Sequence, residues 1–297
     1  MSNKEQVRTK SRREFLVAAG ATAATFGAVT LSPKEARAQS FDAEYDIVVC
    51  GGGGAGLPTA MFSRWLGNKV LVLEKAATLG GTSFKAAYWY WVPNNAAMQK
   101  AGIPDSKEHF LKYVARLSQP QTFDVNHPRL GLSEWEYSMC EAIYDSASVG
   151  TELLSDKGAL PYRHVAPVPD YFAEMETIGA TGRVLFPKDG APSMSDGGQV
   201  ATRTLSTACR RDGVTIRTGH RVQKVIRDES GAVIGVEVQN DDGVIRVKAR
   251  KAVIFATGGF THDVELRKNF LSIPAYGGCA AMTNEGDFIR ISSTLGV

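Results

Sequence analysis

Residues 45–74 read YDIVVC, GGGGAG, LPTAMFSRWLG and NKVLVLE in unbroken succession, and no other stretch restricts the fold as tightly. The first block is an apolar, β-branched run of strand length, which predicts a buried strand. A helical pattern follows at once and closes at Gly67, and KVLVLEK predicts a second buried strand. A strand, tight turn, helix and strand within about 30 residues imply adjacent parallel strands joined by a right-handed crossover. The turn spells Gly51-x-Gly53-x-x-Gly56, with Gly54 and Ala55 inside it. Each spaced glycine there does something mechanical. Gly51 permits the tight turn, Gly53 lets the main chain approach a diphosphate, and Gly56 lets helix and strand pack closely. The helix N-terminus faces the phosphate charge with unpaired amides. Glu74 ends the second strand, 18 residues past Gly56, where a carboxylate can accept hydrogen bonds from ribose hydroxyls. These residues predict a dinucleotide site; the bland alternative is a glycine-rich turn beside an exposed acid.

The rest of the chain extends an α/β pattern. Apolar residues recur at helical spacing between Ser106 and Leu117 and from Ser133 to Lys157, the latter opening on the capping box Ser133-x-x-Glu136 and stopping at Gly158. ALPYRHVAPVPDYF, residues 159–172, is proline-broken and extended. A helix from about Gln199 to Arg211 leads into VTIRT, and the alternation that follows is interrupted at Glu229-Ser230-Gly231 and Asp241-Asp242-Gly243, which predicts a three-stranded antiparallel meander. KAVIFATGGF predicts one more buried strand with a glycine turn. The formal charge of +3 comes from the first 38 residues, which carry seven basic and three acidic groups and leave the remainder near −1. That balance predicts no nucleic-acid partner. Cys50, Cys140, Cys209 and Cys279 are scattered without CxxC spacing, and the five histidines form no ligand-spaced cluster, so no metal site is expected.

Gly80-Gly81-Thr82-Ser83 supplies a second backbone approach with two hydroxyls, more than a nicotinamide domain needs and useful to an extended FAD. Ala256-Thr257-Gly258-Gly259 follows the last buried strand. Together with Gly51–Gly56, Glu74-Lys75 and the meander, these segments resemble the FAD-binding part of the fumarate reductase/ketosteroid dehydrogenase flavoprotein family, from about Tyr45 onward. The resemblance implies a Rossmann-like FAD-binding domain over 42–270 and, over 271–297, the start of a second capping or catalytic domain that the family continues well beyond this length. A fragment of a longer enzyme is therefore expected, inactive by itself. The FAD contacts it implies fall on Gly51, Gly53, Gly54, Ala55, Gly56, Glu74, Lys75, Gly81, Thr82, Ser83, Val222, Ala256, Thr257 and Gly258, and on Asp287 of Asn284-Glu285-Gly286-Asp287, for which an ordinary helix-start acid is the alternative.

Trp91-Val92-Pro93-Asn94 resembles the ketosteroid dehydrogenase branch, and the run Tyr88-Trp89-Tyr90-Trp91 is expected to wall the cofactor and substrate cleft unless it is core packing. The chain departs from that branch at Lys85-Ala86-Ala87-Tyr88-Trp89-Tyr90, where Ser-Gly-Gly-Gly is usual, so backbone geometry or cleft volume near the flavin must differ. Pro169-Asp170-Tyr171 resembles the segment that places a tyrosine in the active site of steroid dehydrogenases. The catalytic expectation falls on Tyr171, as a hydrogen-bond donor or proton relay, with simple packing as the alternative; Asp170 is read as a turn or cap residue. The implied activity is FAD-dependent oxidation or reduction of a CH–CH/C=C bond beside a carbonyl, steroid-like first, fumarate-like second, with an unidentified electron donor or acceptor. A non-catalytic FAD-binding relic is the rival from another class. Residues 1–38 carry Arg12-Arg13, an uncharged run from Phe15 to Leu31 and small residues Ala36 and Ala38, and they resemble a twin-arginine signal peptide. Export to the periplasm through that machinery is the corresponding expectation.

Overall fold

The computed structural model describes residues 40–175, 181–273 and 278–296. The expected signal peptide lies outside the described residues. Strand β1 (Ala43–Cys50), helix α1 (Gly56–Trp65) and strand β2 (Val70–Leu73) form the expected unit, with β1 and β2 parallel and Val48 opposite Leu71. All four residues of β2 and the last four of β1 are buried, as befits parallel strands covered on both faces. Helix α1 buries Leu57, Ala60 and Met61, one stripe at helical spacing, against the sheet.

Next come α2 (Gly81–Lys85), β3 (Tyr90–Trp91), α3 (Ala96–Ala101), α4 (Lys107–Ser118) and α5 (Glu134–Asp156). Helix α5 starts on the expected capping box: Ser133 Oγ accepts the Glu136 amide at 3.2 Å while Glu136 Oε2 accepts the Ser133 amide at 2.9 Å. Strands β4 (Tyr162–His164) and β5 (Val184–Pro187) join β3 in a small antiparallel sheet ordered β3-β5-β4. Helix α6 (Gly197–Arg211) begins two residues before the predicted Gln199, and leads into β6 (Thr215–Arg217). After β7 (Arg221–Arg227), β8 (Val233–Asn240) and β9 (Gly243–Phe255), the short helices α7 (Val264–Phe270) and α8 (Asp287–Ser293) close the described chain.

The main sheet has six strands in the order β6-β2-β1-β9-β8-β7. One expectation is corrected here. The third meander strand and the last buried strand are not separate: β9 runs unbroken for 13 residues. Through Lys248 it pairs antiparallel with β8, Val236 opposite Val247, and from Val247 onward it pairs parallel with β1, Val48 opposite Val253, so the two pairings overlap at Val247 and Lys248. No Gly, Pro or turn dipeptide interrupts VIRVKARKAVIF, so the backbone has no reason to break; only the covering of its faces changes along its length. The meander is thereby welded into the parallel sheet.

Two cores cover the main sheet. One packs Met61, Leu154, Leu205 and Cys209 against Val49 and Val72, and the other packs Val222, Val236 and Ile291 against Val48 and Leu71. A third lies among α4, α5 and the segment before α5, where Trp91 joins Phe110, Leu111 and Leu132. No described helix is long and apolar enough to cross a membrane.

Candidate cofactor site

The C-terminal ends of β1, β2 and β9 open into a groove of about 250 Å³. Its floor is the glycine turn after β1. That turn is stitched to both neighbouring strands: the Gly51 amide donates to the Leu73 carbonyl at 2.7 Å, and the Ala256 amide donates to the Cys50 carbonyl at 2.8 Å. At two of the motif glycines, Gly51 and Gly56, neighbouring backbone leaves no space for a side chain. A Cβ at Gly51, where φ is +109°, would stand 2.3 Å from the Ala256 oxygen, and one at Gly56 would stand 1.9 Å from the Gly51 oxygen. Gly53 differs, because its nearest neighbour would be the Gly80 oxygen at an ordinary 3.6 Å. Glycine at 53 therefore keeps the groove open rather than permitting the fold.

Glu74 is buried, with 8% of its surface accessible, which excludes the exposed-acid alternative. Its Oε2 accepts the Gly52 amide and its Oε1 accepts the Ala76 amide, both at 2.8 Å. The carboxylate thus fixes the glycine turn to the end of β2 and keeps lone pairs for a ribose. The second loop rests on the first: the Gly80 amide donates to the Gly52 carbonyl at 2.9 Å and the Gly54 amide to Ser83 Oγ at 3.2 Å. Thr82 Oγ1 accepts from Asn284 Nδ2 and from the Ala281 amide, each at 3.3 Å. Behind this loop the Gly198 amide at the start of α6 donates to the Ala86 carbonyl at 3.0 Å.

Lys75 and Asp287 line one end of the groove, and Arg221 and Glu285 pair with them beside it. Lys75 Nζ lies 2.8 Å from Asp287 and 3.1 Å from Glu285, and Arg221 lies 2.5 Å from Asp287 and 3.2 Å from Glu285. Two cations and two anions hold the start of α8 against β2 and β7. Burial pushes the Cys50 thiol far above its usual pKa, so it stands in the groove wall as a neutral group.

The structure brings fourteen of the predicted cofactor residues to the groove lining: Gly51, Gly53, Gly54, Ala55, Glu74, Lys75, Gly81, Thr82, Ser83, Val222, Ala256, Thr257, Gly258 and Asp287. Gly56 lies behind them as a packing glycine. Three polar lining residues were not legible from the sequence. Thr283 and Asn284 share a segment with Asp287 but carry no motif of their own. Asn284 Oδ1 is buried without a partner among the described residues. His220 sits two residues before Val222; its Nδ1 lies 2.7 Å from the Thr218 carbonyl, which requires a proton on Nδ1 and leaves Nε2 as the acceptor facing Asn240.

Tyr171 is not part of this lining and is 98% exposed. The residue before it has a role that a turn or cap reading misses. Asp170 is buried and accepts Arg183 Nη1 at 2.5 Å and Trp91 Nε1 at 2.6 Å. Arg183 also makes a two-point pair with Asp105, at 2.9 and 2.7 Å, and its guanidinium stacks 5.1 Å from the Trp91 ring. Trp91 thus belongs to a buried ionic clasp, and none of Tyr88, Trp89, Tyr90 and Trp91 lines the groove.

A main-chain cradle at the mouth of parallel strands, a buried acid on the next strand and a second hydroxyl loop define a dinucleotide-binding domain built for an extended cofactor. The chain belongs to the family described as "FAD binding domain", whose model matches residues 46–297, and FAD is its cofactor. The groove fits that group: Gly51, Gly53 and Gly54 bring bare main chain to its lining, and the buried Asn284 oxygen is unpaired among the described residues. Among its relatives, 4-oxocyclohexanecarboxylate 2-dehydrogenase of Sinomonas cyclohexanicum is 28% identical, with 85% of this chain and 50% of the relative covered. NADH:fumarate oxidoreductase of Klebsiella pneumoniae is 26% identical over 88% of this chain and 24% of that protein. The crystal structure of 3-ketosteroid Δ1-dehydrogenase from Sterolibacterium denitrificans superposes with a TM-score of 0.72 at 21% identity, covering 85% of this chain and 55% of the other. The chain spans half the length of the first of these relatives.

Proposed function

We propose that this chain is the FAD-binding part of an oxidoreductase acting on a CH–CH/C=C bond beside an activating carbonyl, and that a cyclic ketone of steroid-like character is the substrate. The observation that carries the reading is the paired-loop groove together with a relative named for a ring-ketone dehydrogenation. When bound, FAD supplies a two-electron acceptor for hydride. The chain's own contribution is to hold the cofactor and order it. With the cofactor bound, main-chain amides of the glycine turn and the start of α1 would hold the diphosphate, Glu74 would orient the ribose, and Gly81, Thr82 and Ser83 would line the groove beside it. Tyr171 takes part at its phenolic oxygen, donating a hydrogen bond or passing a proton to the substrate. Its turn is anchored by the Asp170–Arg183–Asp105 clasp, which spares the exposed side chain the backbone entropy of being positioned. Export by the twin-arginine route is part of the same proposal, and so is the electron donor or acceptor that returns the cofactor to its starting state.

Flavin-loaded protein from the full-length reading frame is expected to bleach a dye acceptor with 3-ketosteroids and to leave fumarate untouched with reduced viologen. The reverse result assigns the second reading, reduction of a small unsaturated acid, which the fumarate oxidoreductase relative favours. A product that holds FAD and does neither overturns the enzyme reading in favour of a non-catalytic flavin-binding protein.

A further inference from the structure

A second cavity, of about 180 Å³, shares only Gly54 with the cofactor groove. An apolar cavity of ~150 Å³ is enough to take up benzene, so this space suits a single small ring. Its remaining walls are Pro58 of α1, Thr151 and Leu154 of α5, Leu160, and the side chains of Tyr88 and Tyr90. Strand alternation explains the last of these: Trp91 enters the ionic clasp on one face of β3, so Tyr90 must point to the other. Tyr88 is held at φ 60°, an uncommon conformation for a residue with a bulky side chain, and its ring meets Tyr90 edge-on at 5.8 Å.

The polar groups of this cavity are sparse and specific. The Tyr90 hydroxyl is buried and has no hydrogen-bond partner among the described residues, a state that is costly when nothing satisfies it. Thr151 commits its proton to the Ala147 carbonyl at 2.8 Å, so its oxygen can only accept from a visitor. Neighbouring Tyr162 already donates to Glu152, which leaves that carboxylate engaged. Burial, and then the neighbouring Tyr88, Tyr162 and Glu152, push the Tyr90 phenol far above its usual pKa and keep it a neutral donor. Among the described residues no charged side chain lines the space.

We propose that this cavity is a second ligand site, separate from the cofactor groove, for a small neutral ring compound bearing one acceptor oxygen, which takes the Tyr90 hydroxyl while its carbons lie against Leu154, Leu160 and Pro58. Charged compounds are refused, since nothing there balances an ion. The site needs no reaction and is independent of the substrate proposed above.

The test uses flavin-loaded full-length protein and saturation-transfer NMR with cyclohexanone, methylcyclohexane and cyclohexanecarboxylate as probes. Cyclohexanone is expected to bind at least ten-fold more tightly than the other two. Tyr90→Phe is expected to weaken it at least five-fold, and Thr151→Phe, which fills the cavity from a helix that does not line the groove, to abolish it, both with wild-type flavin content. Cyclohexanone binding that neither variant changes belongs elsewhere on the protein and overturns the proposal. Absence of cyclohexanone binding, with Tyr90→Phe melting at or above wild type, overturns it as well and leaves the hydroxyl as a mere packing defect.

Discussion

Replacing Gly53 by alanine separates binding from folding, because Gly53 and Gly56 share one motif but occupy opposite situations. At Gly53 the added Cβ would meet nothing closer than the Gly80 oxygen at 3.6 Å, an ordinary contact. Apo-protein carrying Gly53→Ala is thus expected to melt within about 2–4 °C of wild type, the shift that ~1 kcal/mol produces in a domain of this size. At Gly56 the Cβ would stand 1.9 Å from the Gly51 oxygen, a backbone atom that cannot swing aside. Overpacking of that kind costs ~1–3 kcal/mol or more, and the ~1 kcal/mol gained from alanine's helix propensity offsets only part of it. FAD affinity should rank differently from stability. A methyl over the turn keeps the diphosphate from the amides, and one lost charge-assisted hydrogen bond at ~1.5–3 kcal/mol means about 10–100-fold weaker binding. Fluorescence-quench titration of FAD into deflavinated protein, beside thermal melts of the same samples, reads both quantities. Gly53→Ala with wild-type affinity, or with a melting point as low as that of Gly56→Ala, would refute the division of labour.

Other consequences follow from the same geometry. Glu74→Gln turns one acceptor of a buried amide into a donor facing a donor, so urea denaturation of the apo-protein should show a loss of ~2 kcal/mol along with weaker FAD binding. Arg183→Met leaves Asp105 and Asp170 buried and unpaired, both only about 1–2% exposed in their side chains, and should cost ~3–5 kcal/mol in the same assay; a neutral result would sink the clasp. Asp212 is held down at about 2 from 3.8, chiefly by Arg211 and further by the Trp65 indole. Its folded-state pKa is depressed, so its contribution is present above about pH 4 and fades as pH falls toward 2. Solvent screening limits it to below ~1 kcal/mol, and Asp212→Asn should flatten the pH dependence of the melting point across that window and nowhere else. On the proposed function, Tyr171→Phe should slow turnover of the flavin-loaded protein at least ten-fold with flavin content unchanged; unchanged kinetics would remove the phenol from the proposed mechanism.

The strand–turn–helix–strand unit, its glycines, Glu74 and the capping box at Ser133 were legible in the sequence because each is a local device. Turn conformation, helix start and strand burial depend on residues within a few positions of one another, and the spacing that meets the need is also the spacing that is read. Tertiary structure decided what depends on distant partners. Nothing local announces that β9 serves two sheet neighbours of opposite direction, since its change of pattern looks like a boundary when only its covering has changed. Asp105, Asp170 and Arg183 carry no common spacing, yet strand β5 and two loops bring them within hydrogen-bond distance in a core that admits no unpaired charge. His220 and Asn284 likewise became groove residues only when the start of the meander and the segment before α8 met at the groove. The run of Tyr88 to Trp91 holds the same lesson: composition supplied its aromatic surface, but strand alternation and the clasp sent its rings away from the cofactor groove.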